Sequence, residues 1–105
     1  MTEVYVVLVT APDADKAAEL GRALVEQKLV ACANVIPTVR SIYRWEGRIE
    51  DGSEALLVLK TPRFKLKELM DRVTEIHPYE VPEVVALRIE EGHNRYLDWV
   101  IGSVY

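Results

Sequence analysis

The chain has 105 residues, of which half are hydrophobic and 29% are charged, and its formal net charge is −4. This length and composition predict one globular domain that spans residues 1–105. An acidic chain lacks the basic face that neutralises phosphates, so we expect no nucleic-acid partner. No apolar stretch approaches the roughly 20 residues that cross a bilayer, so we expect no membrane partner.

The cysteine content and the N-terminus indicate where the protein works. Cys32 is the single cysteine, which excludes an internal disulfide and fits a reducing compartment. The chain opens into the strand-like run Val4–Val9, without the basic region and cleavage site of a signal peptide. We therefore predict a cytoplasmic protein.

The first half of the chain predicts a strand, a helix and a second, longer strand. Val4–Val9 is rich in β-branched residues, and the Pro12-Asp13 pair after it favours the start of a helix. Apolar residues at helical spacing then extend from Ala14 to Leu29. The extended segment 31–45 follows and contains Pro37, so we expect an edge strand or a bulge there.

A turn and a return strand follow. Gly47 predicts the turn and residues 54–61 predict the next strand, so the two strands form a long β-hairpin. Tyr43 and Trp45 lie near its tip.

Two more helices and one strand complete the pattern. Thr61-Pro62 predicts a helix start, with a hydroxyl cap and proline in the first turn. The helical spacing of Leu66 to Ile76 ends ahead of Pro78. Residues 83–89 predict a fourth strand, and Asn94 is the expected cap of a last helix.

This order of elements, β-α-β-β-α-β-α, is typical of the ferredoxin-like α+β fold with an added C-terminal helix. Right-handed crossovers place the two main helices on one face of a four-stranded antiparallel sheet.

The opposite face of the predicted sheet is also apolar. Leu57 and Leu59 alternate with Leu56 and Val58, whereas a strand with one solvated face alternates between apolar and polar residues. Because large apolar patches rarely stay exposed, we expect another subunit to cover this face in a homo-oligomer. The alternative is that the last helix folds over the face in its own chain.

Five segments together resemble the signature of the CutA family: residues 10–13 (TAPD), 29–37 (LVACANVIP), 41–47 (SIYRWEG), 59–61 (LKT) and 77–83 (HPYEVPE). The resemblance covers essentially the whole chain. It implies a ferredoxin-like homotrimer, similar in architecture to the PII signalling proteins. It also implies a role in tolerance of copper and other divalent metals.

The resemblance implies copper ligands only in part. The copper ligands of bacterial family members are a cysteine late in the first strand and two adjacent histidines before Pro-Tyr. Here Val9 and Ile76 stand at two of these positions, and only His77 remains. One imidazole does not make a tight copper or zinc site. We therefore expect weak binding of copper or another divalent cation at most, through His77 and, across a subunit boundary, Cys32. The structural alternatives are a helix-terminating histidine and a buried thiol.

Three function classes remain open from the sequence. The first is a trimeric binding protein with ions or small ligands in clefts between subunits. The candidate cleft residues are Lys60, Tyr79, Glu83 and Glu54. We expect Lys60 to pair with one of the two glutamates. The second is a small hydrolase-like enzyme with Cys32 as nucleophile and His77 as base. The third is a PII-like signalling or interaction protein without a metal site. We predict the first class, with no catalytic residues.

Overall fold

The computed structural model describes residues 2–105 as one α+β unit. Its elements are β1 (Val4–Ala11), α1 (Ala14–Glu26), β2 (Cys32–Trp45), β3 (Arg48–Pro62), a 3-10 turn (Arg63–Lys65), α2 (Leu66–Ile76), β4 (Val85–Arg88) and α3 (Asn94–Gly102). The sheet order is β2-β3-β1-β4, and every neighbouring pair is antiparallel. The predicted ferredoxin-like order with an added C-terminal helix is confirmed. No helix in residues 2–105 is long and apolar enough to cross a membrane.

Helix α1 begins as predicted but ends earlier. The Lys16 amide donates to Oδ1 of Asp13 over 2.7 Å, so Asp13 caps the first turn. At the other end Lys28 has a left-handed φ of 57°, and the Leu29 amide donates back to the Leu24 carbonyl. The expected extension of the helix to Leu29 is wrong, because this turn folds Leu29 into the core as a non-helical residue.

The hairpin of β2 and β3 is longer than the sequence indicated. The register shifts between Ile36 and Val39, which confirms the bulge expected around Pro37. Glu46 and Gly47 connect the strands with φ values of 49° and 78°, as in a type I′ turn. The predicted start of β3 at residue 54 is wrong, because pairing with β2 begins at Arg48, directly after the turn.

The start of α2 also differs from the prediction. Strand β3 continues through Pro62, and the 3-10 turn separates it from the helix. The buried hydroxyl of Thr61 donates to the Leu29 carbonyl over 2.7 Å, so it does not cap α2. The end of α2 before Pro78 agrees with the prediction.

The main core lies between the sheet and the helices α1 and α2. Leu57 and Leu59 of β3 pack there with Val7 and Val9 of β1. Alternate residues of a strand point to opposite faces, so the other residues of these strands form the face opposite α1 and α2, called the open face below.

Helix α3 covers one end of the open face. Val100 and Val104 pack on Val4 and Ala31 in a second apolar cluster. The alternative that the last helix covers this face is therefore correct at that end only. Elsewhere on the open face, large apolar side chains stay exposed: Ile36 by 42%, Val85 by 46% and Leu87 by 57%.

Helix α3 begins without the predicted side-chain cap. Asn94 is already its first helical residue, and His93 holds the cap position without a capping hydrogen bond from its side chain. The expectation that Asn94 caps this helix is therefore wrong.

Candidate functional site

A cavity of about 580 Å³ lies between the outer half of the hairpin and the loop that follows α2. Its walls contain three aromatic and three acidic side chains: Tyr43, Trp45, Tyr79, Glu54, Glu80 and Glu83. Ser41, Tyr43 and Trp45 line it together because alternate residues of β2 face the same side. The cavity has the size of a small-molecule site.

Tyr79 ties the two walls of this cavity together. Its hydroxyl donates a hydrogen bond of 2.5 Å to Oε2 of Glu54 on β3. Burial raises the pKa of the Tyr79 phenol above its ordinary value, and the Glu54 carboxylate raises it further. The phenol therefore stays neutral, and its proton holds the loop against the hairpin.

His77 sets the position of Tyr79 from behind the cavity. Its side chain is buried, with 8% of the residue exposed. The Tyr79 amide donates to Nδ1 over 3.1 Å. An amide can only donate, so Nδ1 accepts and Nε2 carries the proton, which it donates to the Thr10 carbonyl over 2.7 Å.

This pair of hydrogen bonds bears on the histidine's role as a metal ligand. Both ring nitrogens of His77 are engaged inside the chain. A metal ion would have to displace one of these hydrogen bonds to reach the imidazole. His77 as folded is therefore not a preformed metal ligand. Residues 2–105 also hold no group of three His, Cys, Asp or Glu side chains suited to one metal ion.

Cys32 and Lys60 lie at another part of the sheet. They pair with each other across β2 and β3 on the open face. The Cys32 sulfur is 3.7 Å from the Tyr96 hydroxyl of α3. Burial, and then the hydrogen bond with Cys32, raises the pKa of the Tyr96 phenol. Lys60 donates to Asn34, so the predicted pairing with Glu54 or Glu83 is wrong.

The sheet register separates Cys32 from His77. Thr10, which holds His77, pairs with Leu56, and Cys32 pairs with Lys60 four residues further along β3. Four residues of a strand correspond to about 13 Å. Within one protomer the nucleophile–base pair of the hydrolase alternative is therefore not assembled.

The structure thus divides the predicted site residues into two groups. Glu54, Tyr79 and Glu83 line one cavity, with His77 behind it, whereas Cys32 and Lys60 lie apart. Of the remaining wall residues, Thr10 and those on β2 were not predicted to belong to the site. The sequence pattern that could have identified the β2 residues is the alternation of Ser41, Tyr43 and Trp45 along one strand.

Comparison with known proteins places the chain in a family. The family model described as CutA1 divalent ion tolerance protein matches residues 5–103. The chain belongs to this family. It is 47% identical over 95 residues to the divalent-cation tolerance protein CutA of Thermus thermophilus, a match that covers 90% of this chain and 92% of that protein.

The human Protein CutA is 49% identical over 92 residues, or 88% of this chain. The chain spans only about half (51%) of the length of that relative.

Solved structures agree with the fold. The CutA1 structure from Thermus thermophilus has a TM-score of 0.91 and 45% identity, with full coverage of both chains. The CutA1 structure from Ehrlichia chaffeensis has a TM-score of 0.94 and 27% identity, covering 100% of this chain and 98% of that chain. The family and the fold predicted from sequence are confirmed.

Proposed function

We propose that this chain is a cytoplasmic divalent-cation tolerance protein that acts as a homotrimer. It binds metal ions, copper among them, or small ligands weakly in clefts between its subunits. The observation that carries the proposal is the acidic, aromatic cavity closed by the bond from Tyr79 to Glu54. The names of the relatives, which refer to divalent-cation tolerance, support the biological role.

The part of the open face that α3 leaves exposed supports self-association. Ile36, Val85 and Leu87 keep roughly half of their surface exposed in a single chain, and a second copy is the natural cover for such a patch. The hairpin projects from the body and gives the chain a length of 44 Å against a width of 25 Å. A projecting hairpin can reach a neighbouring subunit, which agrees with the trimer implied by the family resemblance.

The weak-binding part of the proposal follows from the donor groups. Glu80 and Glu83 are carboxylates on the cavity wall. The imidazole of His77 has to exchange a hydrogen bond for a metal, and that exchange lowers its affinity. Reversible binding, not covalent chemistry, is therefore the proposed mechanism.

Native mass spectrometry tests the assembly. At micromolar concentration we expect a species of three chains, each of 12.0 kDa. A single-chain species under the same conditions would overturn the trimer.

Calorimetric titration with copper(II) tests the binding. We expect weak binding, in the micromolar range or weaker, that falls further in His77→Ala, with His93→Ala as the matched control. Submicromolar affinity lost in His77→Ala would show a dedicated site and contradict the weak-binding proposal. No heat with copper or any other divalent cation would remove the metal role.

A further inference from the structure

The cavity beside Tyr79 has a charge pattern that selects its ligand. Its wall carries the carboxylates of Glu54, Glu80 and Glu83, and no Lys, Arg or His is among the described residues that line it. A wall whose charged groups are all carboxylates attracts cations and repels phosphates and carboxylates. The wall therefore disfavours nucleotides and other anions as ligands.

The size and spacing of the site distinguish between kinds of cation. The three carboxylates lie around a space of about 580 Å³, and they do not form a group suited to one metal ion within residues 2–105. A volume of several hundred cubic ångströms is typical of sites for organic molecules. The separated carboxylates correspond to a ligand that carries more than one positive charge along its length.

The remaining walls fit the uncharged parts of such a ligand. Tyr43 and Trp45 face the cavity from alternate positions of one strand, and Tyr79 faces it from the loop. Aromatic faces attract alkylammonium groups through cation–π interactions. Pro78 and Val81 add apolar surface against which a methylene chain can pack.

We propose that this cavity binds a linear alkyl polyamine, with ammonium groups at Glu80 and Glu83 and its methylene chain against the aromatic wall. This inference rests on the proposed function of the protein as a binding protein, and it names a ligand class for this cavity. Glu54 takes the supporting role, because its carboxylate already accepts the Tyr79 hydroxyl proton. The neutral Tyr79 phenol then contributes a ring face without adding a charge.

Calorimetric titration of the full chain with spermidine at low salt tests the proposal. We expect saturable binding that weakens by at least about tenfold in the Glu80→Gln/Glu83→Gln double variant and again in Trp45→Ala. Glu90→Gln is the matched control, since it removes an exposed carboxylate outside the cavity wall. Tetraethylene glycol, an uncharged chain of similar length, should not bind. A thermal melt of each variant checks that it is folded.

Each outcome of this experiment decides a different point. Absence of spermidine binding, or equal weakening in Glu90→Gln, overturns the polyamine inference. If copper still binds in that case, the proposed function survives without it. If neither spermidine nor any divalent cation binds, both proposals fail.

Discussion

The Tyr79 hydroxyl donates a 2.5 Å hydrogen bond to Glu54, and this bond joins the loop after α2 to the middle of the long hairpin. The two residues are 25 positions apart in the sequence. Their contact closes one side of the cavity, so its loss should affect both stability and binding.

Tyr79→Phe should lower the free energy of unfolding by about 1–2 kcal/mol, because it removes a hydrogen bond to a charged acceptor. Urea denaturation at one fixed protein concentration measures the change, since assembly makes stability depend on concentration. Tyr105→Phe is the control, because that residue is 76% exposed. Equal unfolding midpoints for the two variants would contradict the structural role of the bond.

The ionisation of Tyr79 should destabilise the protein in alkali. Burial, and then Glu54, raises the pKa of the native phenol above its ordinary value of 10.0. The native state therefore holds this proton more tightly than the unfolded chain does. Its contribution to stability is complete below pH 10 and is lost as the pH rises above it.

The tyrosinate absorbance of native wild type and Tyr79→Phe measures this ionisation. The extra tyrosinate absorbance of the wild type should appear only at pH values well above 10. A difference centred near the ordinary pKa of a tyrosine would show an unperturbed phenol. Tyr96, whose pKa is also raised, is present in both proteins and cancels.

Gly21→Ala should destabilise the protein although alanine favours helices. A Cβ at this position would lie 3.0 Å from the Ala33 Cβ and 3.2 Å from Leu57 Cδ2. Relieving this contact requires α1 to move away from the sheet, which costs about 1–3 kcal/mol. Gly102→Ala in α3 is the matched control, since nothing lies within 4 Å of its Cβ position, and it should be neutral or stabilising. Thermal melts give the melting temperatures of both variants. A Gly21→Ala variant that melts no lower than the wild type would mean that α1 packs less tightly on the sheet than described.

Cys32 should react slowly with a thiol reagent in the native protein near neutral pH. Its sulfur is partly buried beside the Tyr96 hydroxyl, and His77 lies too far along the sheet to act as its base. Labelling with a chromogenic disulfide gives the rate, with the urea-unfolded protein as the reference. Native labelling as fast as that of an activated thiolate would revive the hydrolase alternative.

Local patterns in the sequence were sufficient for most of the fold. The β-branched run at Val4–Val9, the cap at Asp13 and the break at Pro78 each act through their nearest neighbours, so their effects can be predicted without the tertiary structure. Element ends were less predictable. Helix α1 ends at Glu26, ahead of a left-handed Lys28, and no glycine marks that turn in the sequence. Strand β3 begins at Arg48 because it pairs with β2.

The candidate site was predictable only in part. The sequence named Glu54, Tyr79 and Glu83 as cleft residues, and the structure places all three on the wall of one cavity. The role of His77 in holding the loop of Tyr79 depends on the Thr10 carbonyl, which is 67 positions away. No local sequence pattern predicts a contact between residues so far apart in the chain.

The sequence by itself determined the family, the order of elements and the apolar character of both sheet faces, because these depend on residue type and short-range periodicity. Only the tertiary structure decided which polar residues share a site. The antiparallel register sets Cys32 and Lys60 apart from His77, and it brings Glu54 to the loop of Tyr79. Register depends on the whole length of strand pairing and on the packing of the helices, so the grouping of these side chains appears only when the sheet is assembled.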